Sequence, residues 1–490
     1  MTGDHGLDER RATVESSRLW ADDILPALRE YIRIPCVSPS YCSTWAEDGD
    51  MDRAVELVRR WCESRPLQGL SVEVVRLEGR TPLLLVEVPA HDDIVAHGGG
   101  GPGREDELVL FYGHLDKQPE MSGWNDGLGP WSPIVDGERL FGRGSADDGY
   151  AVFAALSAIE TVRAAGGTHR RCAVLIEASE ESGSPDLPAY LDALGDRLGA
   201  PSLVVALDSG AASYDRLWVT TSLRGMVSAV LEVAILLEGV HSGVAGGIVP
   251  SSFRILRRLL DRIEDADTGE VVLPELLVEV PSERRSQLRQ LADALGDDVG
   301  RFPLVPGAHP MGSDAEDRLV SSTWKPSVAV TGADGLPPVS RAGNVLRPLT
   351  RVKLAVRLPP TCDAARAADA LGRALCTDPP YGAEVRFHLE AADDGWNAPA
   401  EPRWLAAALE EASSAAYGAS AGRLGEGGSI PFISMLAHRF PGSDLVVTGV
   451  LGPGSNAHGP NEFLHLPMAQ QLTAAMASLL DAHATRDRRA

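Results

Sequence analysis

Two carboxylates stand side by side in ASEESGS, where Glu180 and Glu181 follow directly on the apolar run CAVLIEA. Adjacent like charges at the end of a buried strand repel each other unless something offsets them. Other stretches bring acidic or imidazole groups to similar places. In YGHLD, His114 and Asp116 close a strand-like run, and alternation turns residues i and i+2 to one face, so both side chains point into one crevice. A histidine ligand usually has a carboxylate on its other ring nitrogen, which is one role for Asp116. Asp147 lies in FGRGSADDG, a Gly-rich turn leading into a helix, and Asp208 closes SLVVALD. His458, in the turn-rich GPGSNAHGPNE, supplies a distant imidazole, whereas His91, His97 and His309 lack neighbouring candidate ligands and read as surface residues.

Taken singly, each group reads more readily as a solvated cap or a structural histidine than as a functional residue. As a set gathered at strand ends, where open α/β sheets place their ligands, the acidic groups call for a cation to neutralise them. Carboxylates and imidazoles without cysteine suit zinc, manganese or cobalt better than calcium, which prefers oxygen-only cages. A bridging carboxylate with a histidine on each side supports two ions, the arrangement of metal-assisted hydrolysis.

The elements that must position this set alternate in type. Helical periodicity over 14–33 and 51–64 precedes the β-rich runs LSVEVVRLEG, PLLLVEVPA and ELVLFYGH, with a Gly-rich polar loop at 92–107. That loop lacks the Lys-Ser/Thr and the helix of a phosphate cradle. GYAVFAALSAIETVRAAG reads as a helix of small residues lying on a sheet, and CAVLIEA and SLVVALD bracket the helical PDLPAYLDALGDRLG. Strands alternating with helices predict an α/β domain with a mixed, largely parallel sheet flanked by helices.

From about Thr221 to Asp394 the character changes. MVSAVLEVAILLEG and RVKLAVRLPP are amphipathic strands, and SFRILRRLLDRIED and DAARAADALGRAL amphipathic helices. The expected plan is a catalytic domain at 1–221 and 395–490, interrupted by a smaller α+β lid or dimerisation domain at 222–394. A length of 490 residues already requires more than one hydrophobic core. The net charge of -24 disfavours nucleic acid and anionic membranes as partners. With no apolar leader in the first 20 residues and no long uncharged apolar run, the expected location is the cytoplasm. Cys36, Cys42, Cys62, Cys172, Cys362 and Cys376 form no CxxC pair and are expected to be reduced.

With these residues assembled, the chain resembles the two-zinc hydrolases that include carnosine-type dipeptidases, acetylornithine deacetylase, succinyl-diaminopimelate desuccinylase and glutamate-releasing carboxypeptidases. The matching stretches, in the family's order, are GHLDKQP, WSPIVDGERLFGRGSADDG, ASEESGS, ALDSG, SLRG, VHSGVAGG, AVRLPP, EGGSIP and NAHGPNE. The Gln-Pro after HLD and the Trp-rich loop before WSP look most like the dipeptidase branch. The resemblance implies that His114, Asp147 and Asp208 hold one zinc and Asp147, Glu181 and His458 the other, with Asp147 as the bridge. It implies that Asp116 stands behind His114, and that Glu180 is the general base that takes the proton of the attacking water and delivers it to the leaving amine. His241 matches a histidine that stabilises the oxyanion, often in the partner's site of dimeric relatives. Arg357 matches the arginine that binds the substrate's terminal carboxylate. Asn344 falls at a substrate-contacting position, and Gly428 and Ser429 are expected to assist from the catalytic domain. Two departures stand out: many relatives read DDKG where this chain reads DDGY, and Lys117 stands where an apolar residue is common, placing a cation beside the metal site.

The leading expectation is a metal-dependent exopeptidase for dipeptides or short peptides with a free C-terminal carboxylate, homodimeric through the inserted domain. An N-acyl amino acid deacylase or a pathway-specific amide hydrolase would use the same site. A metal-free binding protein would have lost a ligand or the base, and none is lost here.

Overall fold

A computed structural model describes residues 6–91, 107–296, 302 and 304–486; most of the Gly-rich loop, with His97, lies outside the described residues. The chain divides into two compact units. One comprises Met1–Thr220, Ala398–Leu424 and Met435–Ala490, the other Thr221–Asn397 and Gly425–Ser434.

The first unit is built on a six-stranded sheet in the order Ser71–Val75, Leu83–Val88, Arg171–Glu177, Leu108–His114, Leu203–Ala206, Asp444–Val447. Leu108–His114 runs parallel to both its neighbours, and Asp444–Val447 is parallel to Leu203–Ala206. Leu83–Val88 is antiparallel to the strands on either side, which makes the sheet mixed but largely parallel. The central strands read as continuous apolar runs because helices cover both faces, and every residue of Leu108–His114 is buried. Helix Ala151–Ala164 packs on that strand and is buried from Ala151 to Val162, as its small residues foretold. Glu9–Leu19, Arg403–Tyr417 and the long Leu466–Thr485 complete the helical layer around it.

The helical stretch read at 14–33 starts earlier, at Glu9, where the Asp8 carboxylate accepts the Arg11 N–H at 3.0 Å. It is also interrupted by a π-helical turn at Trp20–Ile24, just before Leu25–Ile32. Pro26 has no N–H to return to the carbonyl of Asp22, so the regular ladder cannot pass through it.

The second unit has an antiparallel sheet in the order Ser327–Asp334, Leu349–Leu358, Gly225–Ala234, Glu384–Asp393. Alternation along Gly225–Ala234 and Leu349–Leu358 sends Val227, Leu231, Val233, Val352, Leu354 and Val356 to one core with helices Ser252–Leu260 and Ala364–Cys376. The opposite face carries Glu232, held by Arg351 and Arg386. Gly425–Ser434 joins this unit rather than the first, tethered where the Arg224 side chain donates to the Gly427 carbonyl at 3.0 Å and that of Arg357 to Ser429 Oγ at 2.8 Å. The cysteines are all free, and among the described residues no helix is long and apolar enough to cross a membrane.

Candidate metal centre

The site grows from the carboxyl ends of the parallel strands. His114 is the last residue of Leu108–His114 and lies in register with Glu177, the last residue of its neighbour. Three residues beyond Glu177, a short 3-10 turn at Glu180–Ser182 carries the glutamate pair, and Asp208 lies two residues beyond Leu203–Ala206. Asp147 comes from the loop that enters helix Ala151–Ala164, and His458 from the loop before Phe463–His465.

These groups converge in two sets sharing one member: His114, Asp147 and Asp208, and Asp147, Glu181 and His458, with ligand atoms within 4.8 Å of one another in each. The two oxygens of Asp147 divide between them. Oδ1 lies 3.3 Å from His114 Nε2, and Oδ2 lies 2.9 Å from His458 Nε2. Asp208 Oδ2 is 3.6 Å from His114 Nε2, and Glu181 Oε2 is 3.1 Å from His458 Nε2. Glu180 belongs to neither set, although its Oε2 comes within 3.9 Å of His114 Nε2.

The electrostatics fit a cation. Burial, reinforced by repulsion from Asp147 and Glu181, pushes Asp208 up to about 7. Burial also holds Glu180 and Glu181 above the usual carboxylate range, with neighbouring carboxylates adding to it. For Asp147 burial opposes the charge, but hydrogen bonds from His114 and His458 overcome it and keep the carboxyl below its ordinary value. Glu181 Oε1 is buried with no hydrogen-bond partner among the described residues. Crowded anionic donors, imidazoles and an orphaned carboxylate oxygen are what divalent ions bind, so the residues present fit the metals that the donor set suggested.

The supporting contacts refine the expectations. The Asp116 carboxylate lies 3.5 Å from His114 Nδ1, but that nitrogen is nearer to the backbone carbonyl of Asp116, at 3.0 Å. The carboxylate is turned chiefly to the backbone N–H groups of Glu180 and Glu181, at 3.1 and 3.0 Å. Lys117 does not place a charge among the ligands. Its ammonium is turned to the carbonyls of Tyr31, Ile32 and Ile34, at and just beyond the C-terminal end of helix Leu25–Ile32, where a cation complements the helix dipole.

Sequence reasoning passed over several residues. Gln118 donates its side-chain amide to Glu181 Oε2 at 2.6 Å, and buried Asp148 accepts the His114 N–H at 3.2 Å. Gly113 is required here, since a Cβ would stand 2.7 Å from Asp148 Oδ2 and 2.6 Å from the Ala151 methyl. Glu177 takes hydrogen bonds from Tyr112, Ser179 and Ser184, closing the turn that carries the glutamate pair. The buried Arg143–Glu462 pair, at 2.7 Å, ties the Asp147 loop to the His458 loop. A polar residue within four positions of a ligand was the only signal available for most of these.

The remaining candidates all lie in the second unit. His241 is exposed and pairs with Val345 in a two-stranded ribbon, and the Ser242 N–H donates to the Asn344 carbonyl at 2.9 Å, so His241 and Asn344 are neighbours. Arg357 meets Ser429 as described, next to Gly428, whose Cβ position faces open space. Loss of water alone lowers the Arg357 pKa, with no carboxylate acting on it among the described residues.

A cysteinylglycine-S-conjugate dipeptidase of Corynebacterium striatum is 29% identical over 381 residues, covering 74% of this chain and 79% of that protein. A Cys-Gly metallodipeptidase of Candida albicans is 25% identical over 392 residues, or 76% of this chain and 77% of that one. The crystal structure of human carnosine dipeptidase 1 shares the fold, with a TM-score of 0.74 at 19% identity over 97% of this chain and 98% of its own. A model of the family matches residues 110–482, from the strand that ends in His114 into the C-terminal helix, and on that extent the chain belongs to peptidase family M20/M25/M40.

Proposed function

We propose that the protein is a dinuclear metallodipeptidase that hydrolyses the amide bond of dipeptides, or of similar short amides with a free C-terminal carboxylate. The observation that carries this reading is the divided carboxylate of Asp147, one oxygen toward His114 and the other toward His458. Zinc is the ion we infer, from imidazole and carboxylate donors without thiolate; manganese and cobalt suit the same donors. Bound there, two divalent ions acidify water and polarise a carbonyl.

The chain's own residues supply the rest. Glu180 stands outside both ligand sets, and burial raises its proton affinity, which suits a group that accepts a proton and passes it to a leaving amine. Asp116 fixes the backbone of that turn from below. Arg357, a guanidinium with no carboxylate acting on it among the described residues, is assigned to the substrate's terminal carboxylate, with Ser429 and Gly428 beside it. His241 is assigned to the developing oxyanion, with Asn344 contacting substrate.

A homodimer through the second unit accompanies this reading. Leu237, Val244 and Ile248, on the segment flanking His241, are strongly exposed apolar side chains of the kind that a partner covers. Light scattering that returned a monomer would contradict it.

The deciding experiment loads the purified protein with zinc, manganese or cobalt and offers a panel of dipeptides and N-acyl amino acids. Because the relatives named above act on cysteinylglycine compounds, Cys-Gly heads the panel. Hydrolysis of dipeptides that disappears on chelation and returns with metal supports the assignment. Cleavage of N-acyl amino acids alone would replace it with a deacylase.

A further inference from the structure

Lys117 is fully buried. Its ammonium donates to three backbone carbonyls at the end of helix Leu25–Ile32, those of Tyr31 at 2.9 Å, Ile32 at 3.3 Å and Ile34 at 2.8 Å, and sits 3.9 Å over the Tyr31 ring. A cation at this end complements the helix dipole, and it adds a charged donor to the Tyr31 and Ile34 carbonyls, which also accept backbone N–H groups.

What surrounds this contact sets it apart from an ordinary cap. Lys117 follows Asp116 directly, so the ammonium fixes one end of the segment that carries His114 and Asp116. The Tyr31 hydroxyl donates to the Leu115 carbonyl at 2.6 Å, holding the same segment at a second point. The lysine stem lies against Gly144, where a Cβ would stand 2.6 Å from Lys117 Cε, so it also sets the height of the loop that carries Asp147. The backbone of Lys117 accepts the Ser38 N–H at 2.9 Å, and Ser38 Oγ lies 2.6 Å from Ser182 Oγ, in the turn of Glu180 and Glu181.

Gly149, one of the departures in DDGY, belongs to the same packing. A Cβ there would meet Tyr31 Cε1 at 2.1 Å and the Gly144 carbonyl at 2.4 Å, which leaves no room for a side chain. Position 149 therefore has no room for a cationic side chain, and the ammonium over the Tyr31 ring comes from position 117.

We propose that Lys117 is a positioning residue whose buried ammonium, anchored on the end of helix Leu25–Ile32, holds the segments bearing His114, Asp147 and Glu181 in their metal-ligating arrangement. The proposal rests on the metal-centre reading above, and the test separates the two. Wild-type protein, Lys117→Met and Lys117→Gln are stripped with a chelator, titrated with zinc in competition with a chromophoric chelator, and followed by circular dichroism well below their melting temperatures. The expected result is a folded Lys117→Met protein that binds zinc roughly 10–100-fold more weakly and has a lowered kcat with KM nearly unchanged when zinc is saturating. Lys117→Gln, which keeps a donor at similar length, should recover part of the affinity, and it serves as the deciding variant if Lys117→Met does not fold. Either folded variant with wild-type zinc affinity and kcat overturns the proposal, even if its melting temperature falls, because that is the signature of a purely structural cap. A wild-type protein that binds no zinc, manganese or cobalt overturns the metal-centre reading itself, and this proposal with it.

Discussion

Asp116 Oδ2 accepts the backbone N–H of Glu181 at 3.0 Å, and its Oδ1 accepts that of Glu180 at 3.1 Å. One buried carboxylate thus orients two residues to which the proposed function gives different tasks, a ligand and a base, while its backbone carbonyl lies against His114 Nδ1. Asn at this position offers a single acceptor oxygen and turns an amide donor toward an N–H. Asp116→Asn is therefore expected to lose roughly 10–100-fold in metal affinity or activity, checked by chelator competition and by steady-state kinetics.

Asp147 is the only residue common to both ligand sets. Asp147→Ala should bind neither ion tightly, whereas His458→Ala should keep the ion held by His114 and Asp208. Metal stoichiometry by elemental analysis distinguishes these outcomes, and two ions retained by Asp147→Ala would refute the bridge.

Glu180 lies outside both candidate ligand sets, so its removal should separate binding from chemistry. Glu180→Gln is expected to retain full metal content and a near-normal KM while kcat falls about 10²–10⁴-fold, the usual weight of a general base. Unchanged turnover would remove Glu180 from the mechanism.

For Arg357, the expected loss lies in substrate binding. Arg357→Lys keeps the charge but not the planar fork, and should raise KM for a dipeptide by roughly 10–100-fold, equivalent to about 1.5–3 kcal/mol for hydrogen bonds to a charged group. A dipeptide whose C-terminal carboxylate is amidated should bind poorly to wild type and be indifferent to the substitution.

Glu160 gives a pH prediction independent of the metal centre. Burial on helix Ala151–Ala164 raises its carboxyl to about 7, with Arg65 partly opposing. Because the folded value lies above the unfolded one, the folded state binds the extra proton, so this contribution is complete below about pH 4.5 and is lost as pH rises through about 7. Glu160→Gln should remove that slope, gaining stability relative to wild type by up to about 3 kcal/mol between pH 5 and pH 8. Parallel melting curves of both proteins at the two pH values provide the check.

Much of the ligand set was legible because metal chemistry demands few residue types and parallel strands end where ligands collect. His114, Asp208 and the Glu180–Glu181 pair each follow an apolar run that could only be a buried strand, and such runs are local in sequence. The sheet and the antiparallel inserted unit were legible for the same reason, since side-chain period reports burial directly. The π-turn at Trp20–Ile24 was not, because it depends on how one proline interrupts a hydrogen-bond ladder. The partition of the glutamate pair into ligand and base came from resemblance, since two adjacent identical side chains differ only in where the turn aims them. Tertiary structure alone decided what holds the site. Nothing near position 117 in the sequence announces that its ammonium caps a helix that ends at Ile32, that its stem requires Gly144, or that Asp116 serves the backbone of Glu180 and Glu181 rather than chiefly the ring of His114. Those contacts join residues tens of positions apart, and a sequence specifies them only through the packing of the whole unit.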